Sequence, residues 1–283
     1  MDRRRFIQSS ALATAGLLTL PSFFAEAKGK SKPVGLQLYS LRDVIGNDPK
    51  GVLKSVASWG YTEVETYGYN NGQLFGMPVA EFKSYLDTLG VKVVSGHYGI
   101  NLAESGWEQV CADAKAIGQK FVVVPWMDKK YYATLDDLKR TCDVLNKAGE
   151  VAKKYKLKMS YHNHAFEFEQ VEGKVIFDEM LTLLDPKLVS IEMDIYWVVR
   201  AGKDPVAYFE NHPGRFPLWH VKDMDKTNQD RNADVGTGSI DFTKLFAQAK
   251  KAGLKNYFIE QETYPVNSMQ SIENSIKYIK TIR

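Results

Sequence analysis

An apolar strand, a short polar turn and an amphipathic helix follow one another repeatedly along this chain. Most helices stop at a Gly that leads straight into the next strand. Trp59-Gly60, Leu89-Gly90, Ile117-Gly118 and Ala252-Gly253 all show this junction. Gly in that place accepts the left-handed backbone that ends a helix. The pattern predicts eight strands, at 34–40, 61–66, 91–97, 120–126, 157–163, 188–194, 216–221 and 256–261. Helices are expected between them at 49–59, 79–89, 107–117, 135–155 and 242–252.

Many of the strands are β-branched apolar runs, Phe121-Val122-Val123-Val124 above all, as suits a parallel sheet covered by helices. Eight βα units in about 250 residues match an α/β fold of one domain, the (β/α)8 or TIM barrel. A doubly wound open sheet is the alternative, but no G-x-G-x-x-G turn follows the first strand. No linker or low-complexity tract divides the chain.

The first 27 residues are set apart from this pattern. Arg3-Arg4-Arg5-Phe6-Ile7 is a twin-arginine pattern, followed by the apolar run Ala11 to Leu20 and the small-x-small site Ala25-Glu26-Ala27. The run is too short to span a bilayer stably. Residues 1–27 are therefore expected to be a twin-arginine signal peptide, and 28–283 the barrel domain. That implies a periplasmic protein of the bacterial envelope, free of the membrane after cleavage. Twin-arginine export carries proteins that are already folded, so a metal could be loaded beforehand.

Net charge excludes one class of partner. The chain carries +3, of which residues 1–27 hold three Arg against Asp2 and Glu26, a net +1, leaving +2. That is no footprint for nucleic acid. The two cysteines, Cys111 and Cys142, fall in helix-like segments and read as buried thiols rather than a disulfide.

In barrels of this kind the chemistry sits at the C-terminal ends of the strands. Four of the five histidines (His97, His162, His164 and His220) fall there, beside Glu65, Glu167, Asp194 and Glu260. Imidazole with carboxylate suits Mn²⁺, Fe²⁺, Co²⁺, Ni²⁺ or Zn²⁺ better than Ca²⁺ or Mg²⁺ alone. A metal-free cluster of general acids and bases is the competing reading.

Several motifs together resemble the xylose isomerase-like barrels of the sugar phosphate isomerase/epimerase superfamily. They are Gly60-Tyr61-x-x-Val64-Glu65, Tyr161-His162-Asn163-His164, Asp194 with Trp197, Ala201-Gly202-x-Asp204-Pro205, His220-x-Lys222-Asp223, Val235-Gly236-x-Gly238-x-Ile240-Asp241 and Ile259-Glu260. The resemblance spans essentially all of residues 28–283. It implies a divalent metal held by ligands from strands five to eight, the last three matching Asp194, His220 and Glu260. At strand five this chain has His162 where the sugar epimerases have Glu. Either His162 binds the metal, or Glu167 reaches back to do so and frees His162 for proton transfer. Glu167 is favoured, because oxygen ligands keep the ion a harder Lewis acid. His162 and His164 are then the acid–base pair.

The resemblance implies a sugar substrate and metal-assisted removal of a proton next to a carbonyl. Returning the proton gives an epimerase or isomerase. Expelling a β-leaving group from the same intermediate gives a lyase, or in reverse a hydratase, acting on 3-keto-sugars or 3-keto-glycosides. Envelope location favours free sugars over phosphorylated ones. Glu65, His97, Trp126 and Lys222 are the expected substrate contacts, with Lys222 and Asp223 alternatively orienting His220. Tyr39, Tyr67, Tyr98, Tyr196, Trp197 and Trp219 could line a sugar-stacking wall. A non-catalytic sugar-binding barrel and a repair nuclease of the endonuclease IV type are the readings from other classes. The latter would need more His ligands and a basic groove. A homo-oligomer is compatible with all of these.

Overall fold

A computed structural model describes residues 32–283. The signal-peptide expectation for residues 1–27 lies outside the described residues. Eight parallel strands are named here in chain order: β1 (Gly35–Gln37), β2 (Glu63–Thr66), β3 (Lys92–Gly96), β4 (Phe121–Val124), β5 (Lys158–His162), β6 (Val189–Asp194), β7 (Leu218–Val221) and β8 (Asn256–Ile259). They form one sheet in the order β3-β2-β1-β8-β7-β6-β5-β4. Its two ends meet, because His97 bridges Val123, Lys120 N donates to Val94 O at 2.8 Å and Tyr98 N donates to Val123 O at 2.8 Å. The sheet therefore closes into the expected (β/α)8 barrel.

One main helix follows each strand, beside shorter ones: α1 (Pro49–Trp59), α2 (Val79–Leu89), α3 (Trp107–Ala116), α4 (Leu135–Lys154), α5 (Ile176–Leu183), α6 (Pro205–Asn211), α7 (Phe242–Ala247) and α8 (Ser268–Ile282). Local chemistry sets their ends. Asp48 caps α1 by accepting from Gly51 N at 2.9 Å, and Gly60, with φ of 96°, stops it. Thr134 and Asp137 form a capping box at the start of α4. The helix expected at 242–252 is broken at Gln248 into α7 and a second short helix, Ala249–Ala252. Among the described residues no helix is long and apolar enough to cross a membrane.

Alternation along the strands separates two cores. Val93, Val122, Val124, Trp219, Tyr257 and Ile259 join the large apolar layer between strands and helices. Their neighbours Val94, Phe121, Val123, Leu218 and Phe258 form a separate cluster. That parity turns the second set into the barrel interior, as the two-residue period of a strand requires. The same parity sends Ser190, Glu192 and Asp194 of β6, and His220 and Lys222 at β7, inward. Cys111 and Cys142 are free and buried. Trp219, one of the aromatic residues considered for a sugar wall, stacks on Phe209 at 4.8 Å within the outer layer and is a packing residue.

Candidate active site

A pocket of about 350 Å³ opens at the C-terminal rim. His97, His162, His164, Glu260 and Glu262 line its polar side, and Tyr39, Tyr67, Tyr98 and Trp126 its aromatic side. Trp126 is 49% and Tyr39 39% exposed, a large apolar surface to leave beside a cavity. Among the described lining residues there is no Lys or Arg.

Beneath the polar side, Asp194, His220 and Glu260 bring ligand atoms within 4.8 Å of one another. Each is delivered by the chain's local structure. Asp194 ends β6 and caps the helix Ile195–Arg200, its Oδ1 accepting from Trp197 N at 3.2 Å, so that Oδ2 is left for the site. Asn163 ties β5 to β6, accepting from Asp194 N at 3.2 Å through Oδ1. His220 Nδ1 lies 2.9 Å from Glu260 Oε2, while Nε2 lies 2.7 Å from Glu65 Oε1. A ring nitrogen anchored on a carboxylate behind the ligand nitrogen is the usual support of a metal-binding histidine.

The strand-five expectation is corrected by the geometry. His162 Nε2 points to Asp194 Oδ2 at 3.9 Å, while its Nδ1 is 3.2 Å from Glu192 Oε2. Glu167 is turned away. The 3₁₀ turn Phe166–Phe168 folds its carboxylate back, where it accepts from Tyr161 OH at 2.7 Å and His164 N at 2.8 Å. Tyr161 belongs to the outer core, so Glu167 braces the β5 loop rather than joining the ligand cluster. Burial pushes Glu167 up to about 8 in spite of those hydrogen bonds.

Glu65 and Lys222, expected as substrate contacts, are fully buried below the pocket. Glu65 Oε1 accepts from Gln37 Nε2 at 2.7 Å and supports His220 and His97, the latter at 3.1 Å. Lys222 Nζ stands 3.0 Å from Asp194 Oδ2, 2.8 Å from Glu260 Oε2 and 2.5 Å from Glu262 Oε1. Asp223 does not orient His220. Its carboxylate instead takes the backbone N–H groups of Gly236, Gly238 and Ile240 at 2.9, 3.0 and 3.1 Å. A Cβ on Gly238 would meet Asp223 Oδ1 at 2.3 Å, so the carboxylate needs Gly at this place.

Charge sorts the cluster. Burial opposes ionisation of His97, but Glu65 and Glu192 outweigh it and lift the ring to about 9. Burial likewise opposes charge on His220, yet Glu192 and Glu260 hold it well above the ordinary histidine value. His162 is pushed well below that value by burial and by its cationic neighbours, His220 first. His164 falls to about 3 through burial and Lys222. His162 and His164 are thus neutral at pH 7, with lone pairs available. Burial and Glu260 raise Asp194 to about 6 against Lys222.

Two carboxylates escaped the sequence expectations. Glu192 Oε2 lies 2.8, 3.2 and 3.3 Å from nitrogens of His97, His162 and His220. Glu262 lies on the pocket wall, held by Lys222. Glu192 stands two residues before Asp194 on the same face of β6, and Glu262 two residues after Glu260 beyond the end of β8. Strand alternation carried one step back along β6 would have found Glu192, whereas Glu262 lies past β8, where alternation no longer applies.

The donor set fits a divalent cation: two carboxylates and an imidazole converge, a second imidazole flanks them, and the oxygens are buried at a pocket floor. The barrel and its rim define a sugar-modifying enzyme. The chain belongs to the xylose isomerase-like TIM barrel family, whose profile matches residues 53–282. It is 23% identical to an inosose dehydratase of Clostridium beijerinckii over 252 aligned positions, covering 75% of this chain and 84% of that protein. The crystal structure of a sugar phosphate isomerase/epimerase from Parabacteroides distasonis superposes with a TM-score of 0.81. The two are 26% identical, and the match covers 93% of this chain and all of that one. The IolI protein, crystallised with a zinc atom, shares the fold at 14% identity and a TM-score of 0.69, over 88% of this chain and 97% of that one.

Proposed function

We propose that this protein is a divalent-metal-dependent enzyme that removes a proton from the carbon beside a carbonyl in an unphosphorylated sugar or sugar-like ketone. The meeting of Asp194, His220 Nδ1 and Glu260 at the pocket floor carries the proposal. A cation bound there supplies Lewis acidity to a carbonyl oxygen and a neighbouring hydroxyl. His162, beside Asp194, completes the donor set in place of Glu167.

The chain's own groups supply the rest. His164 lines the pocket and is taken as the first proton-transfer group, in keeping with its place on the rim. Glu262, fixed by Lys222, is the second proton-transfer group. Tyr39 and Trp126 offer rings to the apolar face of a sugar. Among the described residues that line the pocket His97 is the cation, without the Lys or Arg that usually hold a phosphate, which supports a substrate without one. Export of the mature chain to the periplasm, inferred from residues 1–27, points the same way.

The outcome we infer is isomerisation or epimerisation of a free or keto-sugar, in line with the Parabacteroides relative. Dehydration is the second reading, favoured by the similarity to inosose dehydratases, and it uses the same first step. Chelator-treated protein, reloaded with Mn²⁺, Co²⁺ or Zn²⁺ and offered free sugars, 3-keto-glucose and inosose, tests the proposal. Metal-restored conversion supports it. Equal conversion with and without metal sinks the metal role, and no conversion under any condition leaves a non-catalytic sugar-binding barrel.

A further inference from the structure

Three imidazoles surround one carboxylate oxygen in the barrel interior. Glu192 Oε2 is 2.8 Å from His97 Nε2, 3.2 Å from His162 Nδ1 and 3.3 Å from His220 Nε2. The four groups come from β6, β5, β7 and the end of β3, and their ligand atoms also lie within 4.8 Å of one another. Two explanations compete, a second cation site and a hydrogen-bonded floor beneath the first.

Hydrogen-bond partners decide between them. His97 Nε2 lies 2.8 Å from Glu192 Oε2 and gives its proton there. His220 Nε2 faces Glu65 Oε1 at 2.7 Å and gives its proton there. His162 has one acceptor within hydrogen-bond range, Glu192 Oε2 at Nδ1. A proton on Nδ1 leaves the Nε2 lone pair directed at Asp194 Oδ2, 3.9 Å away. A proton on Nε2 would instead block that side. Glu192 therefore consumes hydrogens that a second cation would have to displace.

We propose that Glu192 is a positioning residue that fixes His162 as the Nδ1–H tautomer and so presents Nε2 as the strand-five ligand to the cation held by Asp194, His220 and Glu260. The proposal rests on the metal-site reading above. It gives that site two imidazoles and two carboxylates, a softer set than one imidazole with three carboxylates, and so favours Zn²⁺ and Co²⁺ over Mg²⁺. It also gives the His-for-Glu change at strand five its structural reason.

The test compares wild-type chain, Glu192→Gln and Glu192→Met, each titrated with Co²⁺ and each examined metal-free by ¹⁵N NMR of the histidine rings. Gln keeps an acceptor at this place, whereas Met removes it at similar volume. One Co²⁺ per wild-type chain is expected, with His162 protonated at Nδ1 before the metal is added. Met should weaken Co²⁺ binding about 10–100-fold, the range for groups that support a ligand, and release His162 to the Nε2–H form. Gln should restore most of the affinity. Equal Co²⁺ affinity in all three proteins, or an unchanged His162 tautomer in folded Glu192→Met, overturns the proposal. Two Co²⁺ per chain overturn it in favour of a second cation site around Glu192. If wild-type protein binds no Co²⁺, the metal-site reading fails and the ligand role with it, while the tautomer measurement separately decides whether Glu192 holds His162.

Discussion

Lys222 Nζ lies 2.8 Å from Glu260 Oε2, inside the barrel and sealed from solvent. The ammonium also meets Asp194 and Glu262, so it neutralises the carboxylates that would hold a cation. Burial disfavours its charge, but Asp194 and Glu260 keep it well above the ordinary lysine value. Removing one partner from a buried ionic cluster leaves the others uncompensated. Metal-free Lys222→Met should lose roughly 3–5 kcal/mol, on the order of 10 °C in Tm. Divalent metal should return more of that loss than the same metal adds to wild type. Calorimetry with and without Zn²⁺ checks both, and an unchanged metal-free Tm would refute this role.

His220→Ala and Glu260→Gln each remove a group at the centre of the donor set. Both variants should lose metal by more than the roughly 10–100-fold typical of a supporting residue, with activity lost in parallel. The barrel should stay folded, with a lowered Tm because each variant opens the buried ionic cluster. Elemental analysis and circular dichroism of the purified variants test this together. Metal content equal to wild type in either variant would remove that residue from the ligand set.

Glu167 gives a pH-dependent signature. Its carboxyl rises from the usual 4.5 to about 8 on folding, through burial, so the unfolded chain releases this proton long before the folded chain does. The stability it contributes is full below pH 4.5 and is lost as pH climbs through 8. Glu167→Gln has no proton to release. Urea midpoints measured at pH 5, 7 and 8.5 should fall more steeply for wild type than for the variant, with metal content alike. Loss of metal in Glu167→Gln would restore Glu167 as the ligand.

Trp126 contributes to the pocket without belonging to the core. Replacing it with Ala should raise KM for a sugar substrate about three- to tenfold, the value of one aromatic contact of about 1 kcal/mol. kcat should change less, and the shift in stability should stay within about 0.5 kcal/mol. A variant with unchanged KM would show that the substrate does not reach this ring.

Helix ends were the most legible part of the fold, because their signals are local. The bounds of α1 and α2 follow from Asp48, Gly60 and Gly90. Strands were expected too long, since the apolar runs continue past the last sheet bond. Residues 38–41, for example, curl into a 3₁₀ turn that still buries Leu38 and Leu41. At the site, the strand ends pointed to a rim of histidines and carboxylates, and the family resemblance singled out Asp194, His220 and Glu260 among them. Glu167 was misplaced because the turn after β5 reverses its carboxylate towards Tyr161, a tertiary contact with no local mark. Lys222 was read as a wall residue because a lysine is rarely buried without partners. Its partners come from β6 and the end of β8 and adjoin it only once the barrel closes.

Proton nuclear magnetic resonance of metal-loaded protein with candidate sugars and keto-sugars in deuterated water tests the central claim most directly. The account predicts replacement of one carbon-bound hydrogen beside the carbonyl by deuterium, abolished by chelator and by Glu260→Gln. Exchange with return to sugar products would mark an isomerase or epimerase, and exchange with loss of water a dehydratase. Turnover of a substrate from this panel with every carbon-bound hydrogen retained, or exchange indifferent to metal, would contradict it.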